Sequence, residues 1–274
     1  MKFKVFSKIR FFFLIYSVMI FSACHDSDKI EPEYGERTVL IYRAADNDLN
    51  KDGETNIKSI LKGMEQTAGR LVIYIDPRYD VPRLLTVKGG KGCRLDTLET
   101  YTEENSASPE VLARVVKEVQ KRYPASSYGL VLWSHGLGWV PPEYSFPGGY
   151  AMRLPDPDMP RTKYYAEDEH PGTTGKAYMD IREMAARLPG HFSFILWDVC
   201  FMGGIEVAYE LRNKTDYMIA SPAEVISYGF PYEKMMPLLW GGEEAMKQIC
   251  REYYNHYNKY QVNSLWRSAV VGLV

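Results

Sequence analysis

A cysteine and a histidine are the residues of this chain best placed to do chemistry. Ser134-His135-Gly136 follows the apolar run Gly129 to Trp133 (GLVLW), and Asp198-Val199-Cys200 follows Phe192 to Trp197 (FSFILW). In an open parallel sheet, reactive groups collect just beyond the C-terminal ends of strands. If these two runs are neighbouring strands, His135 and Cys200 face each other across one edge. A thiol within hydrogen-bond reach of an imidazole that promotes its ionisation is what nucleophilic catalysis needs. Gly136 lets the backbone approach closely and offers an N–H to a developing oxyanion, with the Cys200 N–H as a second donor. Gly203-Gly204 suits a tight passage from strand into helix, and a helix N-terminus there favours a thiolate. Each residue alone has a plainer explanation. A single cysteine after a strand is more often a small buried apolar residue, a histidine at a strand end is usually polar surface, and glycines at corners are usually turns. The matched placement after two buried runs is what favours an enzyme.

The elements that must position this pair follow from hydrophobic period. Thr38 to Ala44, Leu71 to Asp76, Gly129 to Trp133, Phe192 to Trp197 and Tyr217 to Ala220 are short apolar runs of buried-strand type. Residues 83–88 and 93–98 predict a hairpin around Gly89-Gly90. Helices are predicted over 55–66, with Ile57, Ile60, Leu61 and Met64 on one face, and from Pro109 to Arg122, with proline in the first turn. Others are predicted over 180–188, 204–211 and 243–258. Strands buried on both faces and separated by helices imply an α/β fold, a mostly parallel sheet with helices on each side. Residues 138–176 carry Pro141, Pro142, Pro147, Pro155, Pro157 and Pro160 with no clear period. They predict a long surface loop. Ser268 to Val274 reads as a strand cut off in the middle, so the expected domain is truncated there.

The N-terminus is a different kind of sequence. Lys2, Lys4, Lys8 and Arg10 precede the short apolar run Phe11 to Phe21, and Ser22-Ala23-Cys24 follows. The run is short for a membrane span and reads as an export signal. Small residues directly before Cys24 resemble a bacterial lipobox, which implies a lipid anchor on that thiol, although leucine is commoner than Phe21 at its position. The alternative is a plain signal peptide with an incidental cysteine. The expected organisation is a lipoprotein signal peptide over 1–23, a flexible tether over 24–36 and one catalytic domain over 37–274. Cys93, Cys200 and Cys250 remain in that domain, an odd number that leaves at least one thiol unpaired. A Cys93–Cys250 bridge is open, and no cysteine spacing suggests zinc. With 33 Lys and Arg against 35 Asp and Glu, the net charge is -2. No basic patch points to nucleic acid. The expected form is a monomer without a cofactor.

Four segments carry a family resemblance. Leu132 to Trp139 (LWSHGLGW) and Asp198 to Met202 (DVCFM) resemble the His and Cys motifs of the clostripain family of cysteine peptidases. Tyr42 to Leu49 (YRAADNDL) resembles the segment after that family's first core strand. Ala220 to Glu224 with Tyr228 to Tyr232 resembles the stretch after the strand that follows the cysteine. The resemblance implies a caspase-like α/β/α sandwich and a Cys–His dyad that cleaves polypeptides after Arg or Lys. It gives His135 the role of general base and acid, and Cys200 that of nucleophile. Asp198 is expected near the pocket for a basic P1 side chain, since a desolvated guanidinium needs a charged, bidentate partner. The plainer reading of Asp198 is a strand-end residue holding the nucleophile loop. Glu224 is a weaker candidate for the same pocket. Asp46, Asn47 and Asp48 are expected to cap the next helix, with calcium binding as a minor alternative drawn from the family.

Family members are often activated by cleavage between the His and Cys segments. Arg153, Arg161, Lys163 and Lys176 are the candidate cut sites here. A related hydrolase of different specificity, and a binding lipoprotein with an inactive or blocked site, are the competing readings.

Overall fold

The computed structural model describes residues 35–139, 164–170, 175–259 and 271–273. The signal peptide and Cys24 lie outside the described residues. Glu36, expected in the tether, already belongs to the first strand.

The main sheet has eight strands: β1 (Gly35–Ala45), β2 (Arg70–Pro77), β3 (Arg83–Lys88), β4 (Arg94–Thr100), β5 (Ala125–Trp133), β9 (Phe194–Asp198), β10 (Met218–Ala220) and β11 (Gly272–Leu273). Their order is β11-β10-β9-β5-β1-β2-β3-β4. The centre is parallel, with β1 beside β2 and β5, β5 beside β9 and β9 beside β10. Antiparallel pairs finish both edges.

The apolar runs are continuous because both faces of the sheet are covered. Along β1, Leu40, Tyr42 and Ala44 enter one core and Val39, Ile41 and Ala45 the other. Helices α2 (Pro109–Arg122), α3 (Ile181–Arg187) and α4 (Ile205–Leu211) supply the first core with Leu112, Val116, Met184, Val207 and Leu211. Helices α1 (Asn50–Met64), α5 (Tyr232–Met235) and α6 (Glu243–Asn258) supply the second with Ile60, Met64, Met235, Met246 and Ile249. This is the expected α/β/α sandwich around a mostly parallel sheet. Local signals agree with it: Ser108 accepts hydrogen bonds from the Glu110 and Val111 N–H groups ahead of α2, and Asp180 does the same for α3.

Three expectations are corrected. The span 138–176 is not one loop: β7 (Tyr164–Asp168) lies inside it as a fully buried strand. It pairs antiparallel with β6 (Gly136–Gly138) and β8 (Ala177–Asp180). The run YYAED lacks alternation because it is covered on both sides, and its β7–β8 register slips between Tyr165 and Glu167. Ala166 there has φ 64°, a left-handed conformation that breaks strand period. Second, Cys93, Cys200 and Cys250 are all free thiols, so the Cys93–Cys250 bridge does not form. Third, none of Asp46, Asn47 and Asp48 caps α1. Leu49 occupies the N-cap position without a side-chain bond; Asp46 bonds His170, Asp48 bonds His135, and Asn47 accepts from the Leu49 N–H.

Candidate active site

Strands β5 and β9 are neighbours in parallel register, with Trp133 opposite Asp198. His135 and Cys200 each stand two residues beyond that pair, so both emerge at the C-terminal edge of the sheet. Strand β1 delivers Asp46, Asn47 and Asp48 to the same edge, because Arg43 pairs with Trp133. Chain direction reverses its spread between β1 and β5, which makes this edge a topological switch point.

The nucleophile loop is held against the segment after β10. Phe201 N–H donates to the Ala223 carbonyl at 2.9 Å, and Gly203 N–H to the Ser221 carbonyl at 2.8 Å. Cys200 Sγ donates to the Val225 carbonyl at 3.5 Å and accepts from the Val225 N–H at 3.2 Å. Burial pushes the thiol up to about 11, the Val225 N–H pulls it down, and the carboxylates of Glu224 and Asp198 add to the rise. In this arrangement sulfur is a thiol at neutral pH. The thiolate expected from a nearby helix N-terminus is outweighed by burial.

Phe201 has φ 62°, an uncommon conformation for a bulky residue and one that places backbone strain beside the nucleophile. Gly138 makes room for it. At φ 55°, a Cβ on Gly138 would lie 2.2 Å from the Phe201 carbonyl oxygen. Gly138→Ala is expected to lower stability by about 2 kcal/mol or more, from the left-handed backbone and the clash together. Thermal denaturation of the purified protein checks it; a melting temperature equal to wild type would refute the close approach.

His135 is partly exposed, and its Nε2 lies 2.6 Å from Asp48 Oδ1. An ionised carboxylate only accepts, so Nε2 carries the hydrogen and Nδ1 is the ring nitrogen left for other partners. Burial raises Asp48, but the hydrogen bond and charge of His135, with Lys176 beyond, outweigh it and leave its carboxyl below the usual range. Among the described residues, no hydrogen bond joins His135 to Cys200. The His135 carbonyl and the neighbouring Ser134 side chain are both held. Ala166 N–H donates to its carbonyl at 3.0 Å. Asn47 Nδ2 donates to the Ala44 carbonyl, Ser134 Oγ and the Glu167 carbonyl, at 2.9, 3.3 and 3.0 Å. Gly136 faces the nucleophile loop, and a Cβ there would lie 2.5 Å from Val199 Cγ1.

Asp198 is buried at the base of the edge. Its Oδ2 accepts from Tyr232 Oη at 2.6 Å and Phe230 N–H at 3.4 Å. Its Oδ1 is buried without a hydrogen-bond partner among the described residues. Burial raises this carboxyl to about 6, against the downward pull of Tyr232, the Phe230 N–H and the Arg43 charge. Gly229 leaves room for it, since a Cβ there would lie 2.4 Å from Oδ2. Arg43 is itself buried. It donates to the Gly53 carbonyl at 2.7 Å and lies 4.3 Å from the centre of the Trp133 ring. Sequence reasoning missed both Arg43 and Tyr232; a charged residue inside an otherwise apolar strand was the available signal. Glu224 is exposed beside the loop.

Of the candidate cut sites, Arg153, Arg161 and Lys163 lie outside the described residues. Lys176 pairs with Glu167 and with Glu169, the latter at 3.0 Å. Its peptide bond leads directly into β8. Among the described residues, no group of His, Cys, Asp or Glu side chains is arranged to hold a metal ion.

The family model described as Peptidase_C11, the clostripain family, matches residues 41–271. Clostripain of Hathewaya histolytica is 26% identical over 237 residues, which cover 75% of this chain and 42% of that protein. A secreted C11 cysteine protease from Bacteroides thetaiotaomicron, solved with an irreversible peptide inhibitor, superposes with a TM-score of 0.72 at 32% identity. The match covers 88% of this chain and 66% of that one. An inactive zymogen C11 protease from Parabacteroides distasonis gives a TM-score of 0.68 at 36% identity, over 84% of this chain and 60% of that one. The chain thus spans less than half of the length of clostripain and about two thirds of these solved relatives. With the family model matching most of its length, the chain belongs to the clostripain family, peptidase family C11.

Proposed function

We propose that this chain is a cysteine endopeptidase that cleaves after Arg or Lys, with Cys200 as nucleophile and His135 as base. The observation that carries the reading is the shared register of β5 and β9, which sets both residues at equal distance past Trp133 and Asp198. In the reaction, the Cys200 thiol gives its proton to His135, and the sulfur attacks the carbonyl carbon of the scissile bond. The N–H groups of Gly136 and Cys200 receive the oxyanion. His135 returns the proton to the leaving amine. Water then attacks the acyl-enzyme, releasing the acid and restoring the thiol.

The P1 preference rests on Asp198. A buried carboxylate oxygen with no internal donor suits a guanidinium or ammonium group, and Glu224 at the rim adds negative charge. Ionisation gives up the Sγ bond to the Val225 carbonyl, while the Val225 N–H supports the thiolate. A family relative is described as an inactive zymogen. Self-cleavage at Arg153, Arg161 or Lys163 is favoured over Lys176, whose ammonium is already neutralised by two glutamates. The reading includes export, in keeping with the relative described as secreted, and a lipid anchor on Cys24 that would hold a monomer at the periplasmic or outer face of a membrane. No helix of the described residues is long and apolar enough to cross a membrane.

Fluorogenic peptides ending in Arg, Lys or Asp test the proposal. Hydrolysis of the Arg and Lys peptides by wild type and not by Cys200→Ala is expected. Failure on all three after processing would favour a blocked, binding protein, and equal hydrolysis of all three a different specificity.

A further inference from the structure

The carboxylate beside His135 has no part in the dyad as described so far. We propose that Asp48 is a positioning residue of the active site, holding His135 through Nε2 so that Nδ1 is the nitrogen that takes the Cys200 proton. The inference rests on the Cys200–His135 reading above and adds a residue to it.

Several observations converge on Asp48. It follows β1, at the same sheet edge as the two reactive residues. Its Oδ1 contacts Nε2 at 2.6 Å, within the range of a charge-assisted bond. The loop that carries it is fixed from within: Asn47 Oδ1 accepts from the Leu49 N–H at 3.1 Å, while Asn47 Nδ2 ties to Ser134 and to the Glu167 carbonyl. One neighbour of Asp48 thus binds one neighbour of His135, which sets the two loops at fixed separation. A capping role would have accounted for Asp48, but α1 starts without any side-chain cap. Its carboxyl is free to serve the imidazole.

The chemical consequence follows from proton counting. The hydrogen on Nε2 stays on the ring and donates to Asp48. The thiol proton moves from Sγ to Nδ1, giving thiolate and imidazolium. Asp48 remains ionised and stabilises the imidazolium by its charge. The other charged group that acts on Asp48 is Lys176, which is balanced by Glu167 and Glu169. Because the Asp48 side chain is 72% exposed, solvent screens the pair, and its effect falls well short of that of a buried triad carboxylate.

The test uses full-length, fully processed protein with active sites counted by an irreversible thiol alkylator. For Asp48→Asn, kcat on an Arg peptide is expected to fall about tenfold with KM changed less than twofold. The acid limb of the kcat/KM profile should move to lower pH, because loss of the carboxylate makes the imidazolium easier to deprotonate to the neutral base. The shift should shrink in high salt, and Asp48→Glu should restore much of the wild-type limb. A wild-type limb and kcat in Asp48→Asn would overturn the proposal, as would higher activity than wild type, which would make Asp48 a restraint. A normal melting temperature for Asp48→Asn excludes misfolding as the cause of any loss. Activity surviving in Cys200→Ala would instead sink the dyad itself, so the two failures are distinguishable.

Discussion

Cys200→Ala should reduce peptide hydrolysis by on the order of 10⁴-fold or more, because in the proposed mechanism the variant removes the atom that forms the acyl bond. His135→Ala should come close to the same floor. Groups acting as one unit are not additive, so the double variant should lose little beyond either single one. The Cys200 thiol also contacts Val225 and packs against the second core. Its removal therefore costs some packing, and melting curves must accompany the kinetics. Self-processing supplies an independent readout. Purified Cys200→Ala should persist as one chain where wild type is cut between the His and Cys segments. Wild type remaining intact under conditions where it hydrolyses peptides would count against processing, and full hydrolysis by Cys200→Ala would remove the thiol from the mechanism.

Asp198→Asn should lower kcat/KM for Arg and Lys peptides by roughly 10²–10³-fold, the effect of removing one partner of a buried charge pair. The amide keeps the hydrogen-bonded shape toward Tyr232 and Phe230, so the loss should appear as substrate selectivity, with neutral P1 peptides much less affected. The same carboxyl predicts a pH dependence. Burial places it at about 6, and only the ionised form attracts a basic P1 group. Affinity for Arg and Lys peptides is therefore fully present above that pH and lost as pH falls through it. The part of the acid limb that belongs to Asp198 should be missing for neutral P1 and in Asp198→Asn, leaving only the limb of the general base. An unchanged ratio of basic to neutral substrates in the variant would reduce Asp198 to a brace for the nucleophile loop. The buried Arg43 cation acts on Asp198 already, so a bound P1 cation shares the carboxylate with it, which limits the gain.

The core strands were readable because burial on both faces leaves an unbroken apolar run, as in Leu71 to Tyr74 and Phe194 to Trp197. Their positions were enough to bring His135 and Cys200 to one edge once β5 and β9 proved adjacent. Strand β7 was not readable. Its residues Tyr164 to Asp168 end in two acidic groups whose partners come from distant parts of the chain or from beyond the strand: Ser106 N–H, ahead of α2, donates to the Asp168 carboxylate at 2.7 Å, and Lys176 pairs with the Glu167 carboxylate. The role of Asp48 was hidden for a similar reason. A polar trio before a helix has the composition of a cap, and only the approach of β5 offers it an imidazole instead.

By itself, then, the sequence determined the α/β class, the helices with strong period and caps, and the two residue types that can form an acyl-enzyme, since period and side-chain chemistry are local properties. Tertiary structure alone decided which groups those residues touch. It gave Cys200 to Val225, His135 to Asp48, and left one oxygen of Asp198 without a donor among the described residues. These outcomes depend on strand order and burial, and contacts across 25 to 87 positions carry no signature in the spacing of the chain.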